Sequence, residues 1–187
     1  MNRLFRLLFV CTIGALAVPA MAAEDRGLED FYGDFVGKSI AGSTAVTGEG
    51  AELTPRHLNV SIHPNDDGFT IAWLTITTRA SGKTKAKSYL INFRDTARPG
   101  LYASAMRRDT TGALVPLDPM SGDPYVWAGI AGATLTVHAL LVTDEGGYEV
   151  QIYHRTLTDD GMDLTFQRFR DGVLMKEIAG KLVRVGN

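Results

Sequence analysis

The chain has almost no cysteine: Cys11 is the single one among 187 residues, and it lies in an apolar run at the N-terminus. No disulfide can staple the remainder, so a folded domain has to be held by its core. Charge of one sign is lacking too. The 19 Lys and Arg against 21 Asp and Glu leave a formal net charge of −2, and a chain without Arg3 and Arg6 would be slightly more acidic. That balance argues against a nucleic-acid partner, which demands an excess of positive charge. The apolar run from Leu7 to Val18 is too short to span a bilayer. Repeats of solenoid period and low-complexity tracts do not occur.

What is present begins with an export pattern. Arg3 and Arg6 precede the run Leu7 to Val18, and the small residues Ala20 and Ala22 follow Pro19, the order of a cleavable secretory signal. Cleavage is expected after Ala22, with Ala23 as the neighbouring choice. Residues 1–22 then form the signal and 23–187 a single domain with no transmembrane segment. Val10, before Cys11, is not the small residue that a lipoprotein acceptor needs. About 165 remaining residues can bury enough surface to fold unaided. An exported domain without disulfides is expected in the bacterial periplasm or secreted.

From residue 57 onward turn signals divide the chain, among them Asn65-Asp66-Asp67-Gly68, Ser81-Gly82, Asp160-Gly161 and Asp171-Gly172. The runs between them read as strands: 38–47, 57–62, 69–78, 85–94, 101–106, 125–130, 134–142, 148–156, 162–168 and 174–185. With no helix between them, they predict an all-β, antiparallel up-and-down meander closed into a barrel of about 8–10 strands. Alternation sets Tyr148, Val150 and Ile152 against Glu149, Gln151 and Arg155, which predicts one wet face on that strand. Phe69, Ile71 and Trp73 alternate with Ala72, Leu74 and Ile76, so that strand is expected to be covered on both faces. Leu28, Phe31, Tyr32, Phe35 and Val36 recur at helical spacing and predict a short N-terminal helix across one barrel end, or an irregular lead-in broken at Gly33. The Pro-containing stretch 107–124 is expected to be a long functional or mobile loop.

Motifs for chemistry are scarce. Gly33-Asp34-Phe35-Val36-Gly37-Lys38-Ser39 is one residue short of a phosphate-binding loop and lacks the preceding strand. Ser39 misses the last glycine of a nucleophile elbow. The four histidines, His57, His63, His138 and His154, show no metal-ligand spacing. No catalytic residue, metal or cofactor is therefore assigned. His138 has two readings: an imidazole facing a cavity as ligand or base, or a hydrogen-bonded ring on the outer face beside Thr134 and Thr136. Lys83, Lys85 and Lys87 alternate, which reads either as a solvated face or protected edge, or as an attraction for an anionic headgroup.

A lead-in, a strand meander and a closing terminal strand together resemble the lipocalin-like (calycin-type) barrels. Gly33-Asp34-Phe35 resembles their G-x-W signature with phenylalanine for tryptophan. Thr143-Asp144 followed by Tyr148 is similar to their T-D-x motif, and Arg184 is the nearest counterpart of the arginine that packs over the barrel's end. The resemblance implies binding of a small hydrophobic or amphipathic ligand by Trp73, Tyr89, Phe93, Tyr102, Trp127, Val137, His138, Ile152 and Phe166; the other reading is a barrel whose interior these residues simply fill. Arg168 continues the phase of Met162, Leu164 and Phe166 and would meet a ligand carboxylate or the water at the mouth. Two further readings stay open. One is a protein-interaction barrel of the cell envelope acting through its loops, and the other a cavity enzyme or haem-binding barrel using His138 or His154.

Overall fold

A computed structural model describes residues 26–40, 55–79, 81–108 and 110–186. The expected signal peptide and the expected strand continuation at 41–47 lie outside the described residues. The chain forms β1 (Gly33–Ile40), β2 (Pro55–Asn65), β3 (Gly68–Thr78), β4 (Thr84–Asp95), β5 (Leu101–Ser104), β6 (Arg107–Arg108), β7 (Leu114–Val115), β8 (Tyr125–Ala131), β9 (Thr134–Val142), β10 (Tyr148–Leu157), β11 (Gly161–Arg170) and β12 (Val173–Val185). Ten of these close into one antiparallel barrel in the order β1-β12-β11-β10-β9-β8-β5-β4-β3-β2, and β6 with β7 makes a separate two-stranded ribbon. The stretch expected as one long loop is therefore built on that ribbon and on a 3-10 turn at Pro119–Ser121, capped by the Asp118 carboxylate.

The turns close as their residues require. Asp171 and Gly172 both take positive φ, 49° and 81°, which matches the right-handed twist of β11 and β12. At the β2–β3 hairpin the Asn65 side-chain Oδ1 accepts from the Asp67 backbone amide, and this local bond lets two aspartates sit in a tight turn.

The expected N-terminal helix is a single 3-10 turn at Leu28–Phe31, and the chain is already a strand from Gly33. Gly33 takes φ 140°, a conformation other residues avoid. The next residues pair with β2 on one side and β12 on the other. The spacing that reads as one helix stripe is shared by two elements: Phe31 comes from the turn, Phe35 from the strand, and both are fully buried in the same core.

That core fills the barrel end beneath the 3-10 turn. Phe69 stacks on Phe93 with ring centroids 4.9 Å apart, and Tyr102 meets Phe69 edge-on at 5.0 Å. Arg184 closes this end: its guanidinium lies over the Phe35 ring at 4.6 Å and donates to the backbone carbonyls of Tyr32 and, at 2.7 Å, Asp30. Arg184 thus packs over this end of the barrel with Phe35 beneath it. Thr143 and Asp144 sit in the β9–β10 turn, where the Thr143 and Gly147 backbones bond to each other.

Candidate functional site

At the opposite end the barrel is not filled. A cavity of about 680 Å³ enters it beside the β3–β4 turn, with Arg79 and Ser81 at its edge. Strand pairing orders its wall from rim to floor, because inward side chains recur every second residue. Across β2, β3 and β4 the successive pairs are Arg56 with Thr77 and Thr77 with Lys85, then Leu58 with Thr75 and Thr75 with Lys87, then Val60 with Trp73 and Trp73 with Tyr89. Across β10, β11 and β12 they run through Gln151, Arg168 and Lys176, then Tyr153, Phe166 and Ile178, then Arg155, Leu164 and Gly180.

The rim is cationic. Arg56, Arg79, Lys85, Lys87, Arg168 and Lys176 all line the cavity, and no Asp or Glu does among the described residues. Burial lowers the pKa of Lys176, and the neighbouring charges of Arg56, Arg168 and Lys87 lower it further, which shows that these cations converge. Burial likewise lowers that of Arg56. A carboxylate stands close by: Glu149 Oε1 accepts from Gln151 at 2.7 Å, and Glu149 Oε2 lies 3.9 Å from Arg168 Nε. Tyr153 donates in turn to Gln151 at 2.9 Å, so a hydrogen-bonded line descends the inner face of β10.

Below the rim the wall is aromatic. Trp73 stacks on Tyr89 at 5.0 Å, Tyr153 packs on Trp73 at 5.3 Å, and Phe166 lies 4.7 Å from Tyr153. Burial, with Tyr89 and Glu149 adding to it, pushes the Tyr153 hydroxyl up to about 12, so it is a neutral donor at any ordinary pH. Under these rings lies Arg155, 0% exposed, with its guanidinium 5.4 Å from the Trp73 centroid and 5.6 Å from that of Tyr153. None of its three side-chain nitrogens finds a hydrogen-bond acceptor among the described residues. Burial brings its pKa down to about 10, which still leaves it charged near neutrality. The Ser39 hydroxyl at the same level is also buried and has no partner among the described residues.

The structure divides the expected site residues. Trp73, Tyr89, Phe166 and Arg168 line the cavity. Phe93, Tyr102 and Val137 point inward but belong to the packing of the filled end and the wall. Trp127, His138 and Ile152 face outward: they alternate with the buried Val126, Ala128, Leu135, Val137 and Arg155, and Trp127 stacks on His138 at 4.8 Å. His138 is thus on the outer face, but the expected bond to a threonine is made by His154, whose Nδ1 lies 3.0 Å from Thr136 Oγ1. Both rings lie outside the barrel, so neither can ligate a group in the cavity. Burial, and secondarily the charge of His154, lowers the His138 pKa. No cluster of His, Cys, Asp or Glu suited to a metal occurs among the described residues.

On β10 the expected faces are reversed: Gln151, Tyr153 and Arg155 face in, and Val150 and Ile152 face out. The Lys85 and Lys87 side chains, read as a solvated face or as an attraction for anions, stand on the cavity side of β4. The outer residues Ala72, Leu74 and Ile76 of β3 are half-buried, so that strand's outer face is less covered than expected. Sequence reasoning missed Arg56, Tyr153, Arg155 and Lys176. The alternation Gln151-x-Tyr153-x-Arg155, read as an inward face, would have found two of them. No known family model matches this chain, and no curated protein matches it either.

Proposed function

We propose that the protein is an exported lipocalin-like barrel whose cavity takes up a small hydrophobic or amphipathic molecule without chemistry. The observation that carries this reading is the half-filled barrel. One end is packed solid with phenylalanines, while the other keeps a cavity of about 680 Å³ walled by Trp73, Tyr89, Tyr153 and Phe166. Small-molecule sites are concave spaces of about 300–1,000 Å³ with apolar and aromatic walls and a few convergent polar groups. A barrel needed only as a scaffold would gain stability by filling that volume.

The test is saturable uptake. Purified protein titrated with dansylamino-undecanoic acid should enhance and blue-shift the dansyl emission, quench Trp73, and release the probe to unlabelled competitors. Trp73→Ala should weaken uptake. The absence of displaceable binding for any apolar or amphipathic probe would remove the ligand reading. Export is checked separately: the intact mass of the protein from a periplasmic extract should correspond to a chain starting at Ala23 or Glu24.

A further inference from the structure

We propose that the ligand is a small organic polyanion with a planar apolar body, its acidic groups shared between the rim cations Arg56, Arg168, Lys176 and Lys87 and the buried guanidinium of Arg155. The proposal rests on the cavity being a ligand site and names the chemistry of what enters it.

Arg155 carries the argument. A guanidinium that is wholly buried has lost its hydration, and such a charge is ordinarily compensated by a carboxylate or by several carbonyl acceptors. The contrast within the barrel is direct. Arg184, partly open to solvent, has two backbone carbonyls and an aromatic face. Arg155 has only the faces of Trp73 and Tyr153 and no acceptor among the described residues. Ring faces offset only part of the cost of burying an ion. The remainder is what an arriving anion would supply, through charge-assisted bonds in a site of low dielectric.

The rim points the same way. Arg56 Nε and Arg168 Nε are buried without a hydrogen-bond partner among the described residues, and Lys176 is crowded by three like charges. Glu149 answers at most one of these cations, from 3.9 Å. So many positive charges at one mouth repel one another. A ligand with a single acidic group would leave most of that repulsion in place, and one with two or more, spaced across the aromatic wall, relieves it. Trp73 and Tyr89, stacked within 23° of parallel, offer a flat surface for the body between them and the acids.

The experiment compares three dyes of related body by fluorescence titration: phenylnaphthylamine, which is uncharged; anilinonaphthalene sulfonate, with one acidic group; and its dimer bis-anilinonaphthalene sulfonate, with two. Affinity should rise by about tenfold or more from the first to the second and again to the third. Added salt should weaken the sulfonates alone. Arg155→Met should weaken the dimer by about tenfold, leave phenylnaphthylamine within about twofold, and raise the thermal midpoint of the ligand-free protein, because a buried unpaired charge is gone. Should that variant not fold, the rim pair Arg56→Gln with Lys176→Gln makes the same comparison.

Equal binding of charged and uncharged dyes overturns the anion assignment and leaves the cavity reading standing. Binding of no dye removes both. An Arg155→Met protein that is less stable and keeps the full charge preference shows Arg155 to be packing only, and overturns its assignment. Co-sedimentation with phosphatidylglycerol vesicles, with no displaceable uptake of soluble dye, overturns the proposal in favour of a membrane surface.

Discussion

At the scale of single residues, the barrel shows what a charge costs by where it is put. Arg184 is satisfied by carbonyls of the 3-10 turn, and so fastens the turn to the barrel. Its replacement by alanine should cost about 1–2 kcal/mol in urea unfolding, with increased hydrogen exchange in residues 28–35. Asp34 on the outer face shows the milder case. A hydrogen bond from the Ser61 hydroxyl, the larger cause, and one from the His63 ring hold its carboxyl below the ordinary carboxylate value. A lowered acid stabilises the fold above its unfolded pKa, and that contribution is lost as pH falls through the folded value. Carbon-detected NMR titration should place the Asp34 midpoint below that of a free aspartate, and Ser61→Ala should move it up.

At the scale of elements, closure depends on β12 lying between two strands that approach it without side chains. A Cβ at Gly37 of β1 would lie 2.0 Å from the Lys181 carbonyl oxygen, and one at Gly161 of β11 would lie 2.1 Å from the Leu182 carbonyl oxygen. Both neighbours are backbone, so neither can swing aside. Gly37→Ala should therefore push β1 away from β12 and destabilise the protein by about 2–3 kcal/mol, read as a lowered urea midpoint with faster amide exchange along that seam. β1 shows why the strands were legible while the lead-in before them read as a helix that does not form. Short runs between Gly and Asp turns carry a period of two that does not depend on distant partners, and most boundaries follow from it. The stripe Leu28, Phe31, Tyr32 and Phe35 matches a helix locally, but pairing of Gly33–Ile40 with two strands far away in sequence satisfies more backbone groups than one short helix would.

At the scale of the whole molecule, the balance of 19 basic and 21 acidic residues conceals an uneven distribution, since six cations from four strands and one turn meet at one mouth. A bound anion should then stabilise the folded protein with the logarithm of its concentration relative to Kd: about 2.7 kcal/mol at one hundred times Kd, seen as a raised thermal midpoint that shrinks as salt is added. An unchanged midpoint at saturating dye would be the contrary result.

The order of apolar and polar residues along the chain determined by itself that this is an antiparallel β meander around one interior, that Phe69 and Ile71 belong to its core, and that Arg168 shares a face with Phe166. It did not determine which face of β10 is the inside. Val150 and Ile152 are as apolar as the inner face is mixed, and the preference to bury them is outweighed by register, because a single residue's slip would turn every side chain of β10 over and expose Arg155 with its neighbours Leu135 and Leu164 mispaired. Only closure of the ten strands decided that, and with it the cavity. The meeting of Arg56, Lys87, Arg155, Arg168 and Lys176 comes from five different strands, and proximity across a barrel leaves no trace in local spacing.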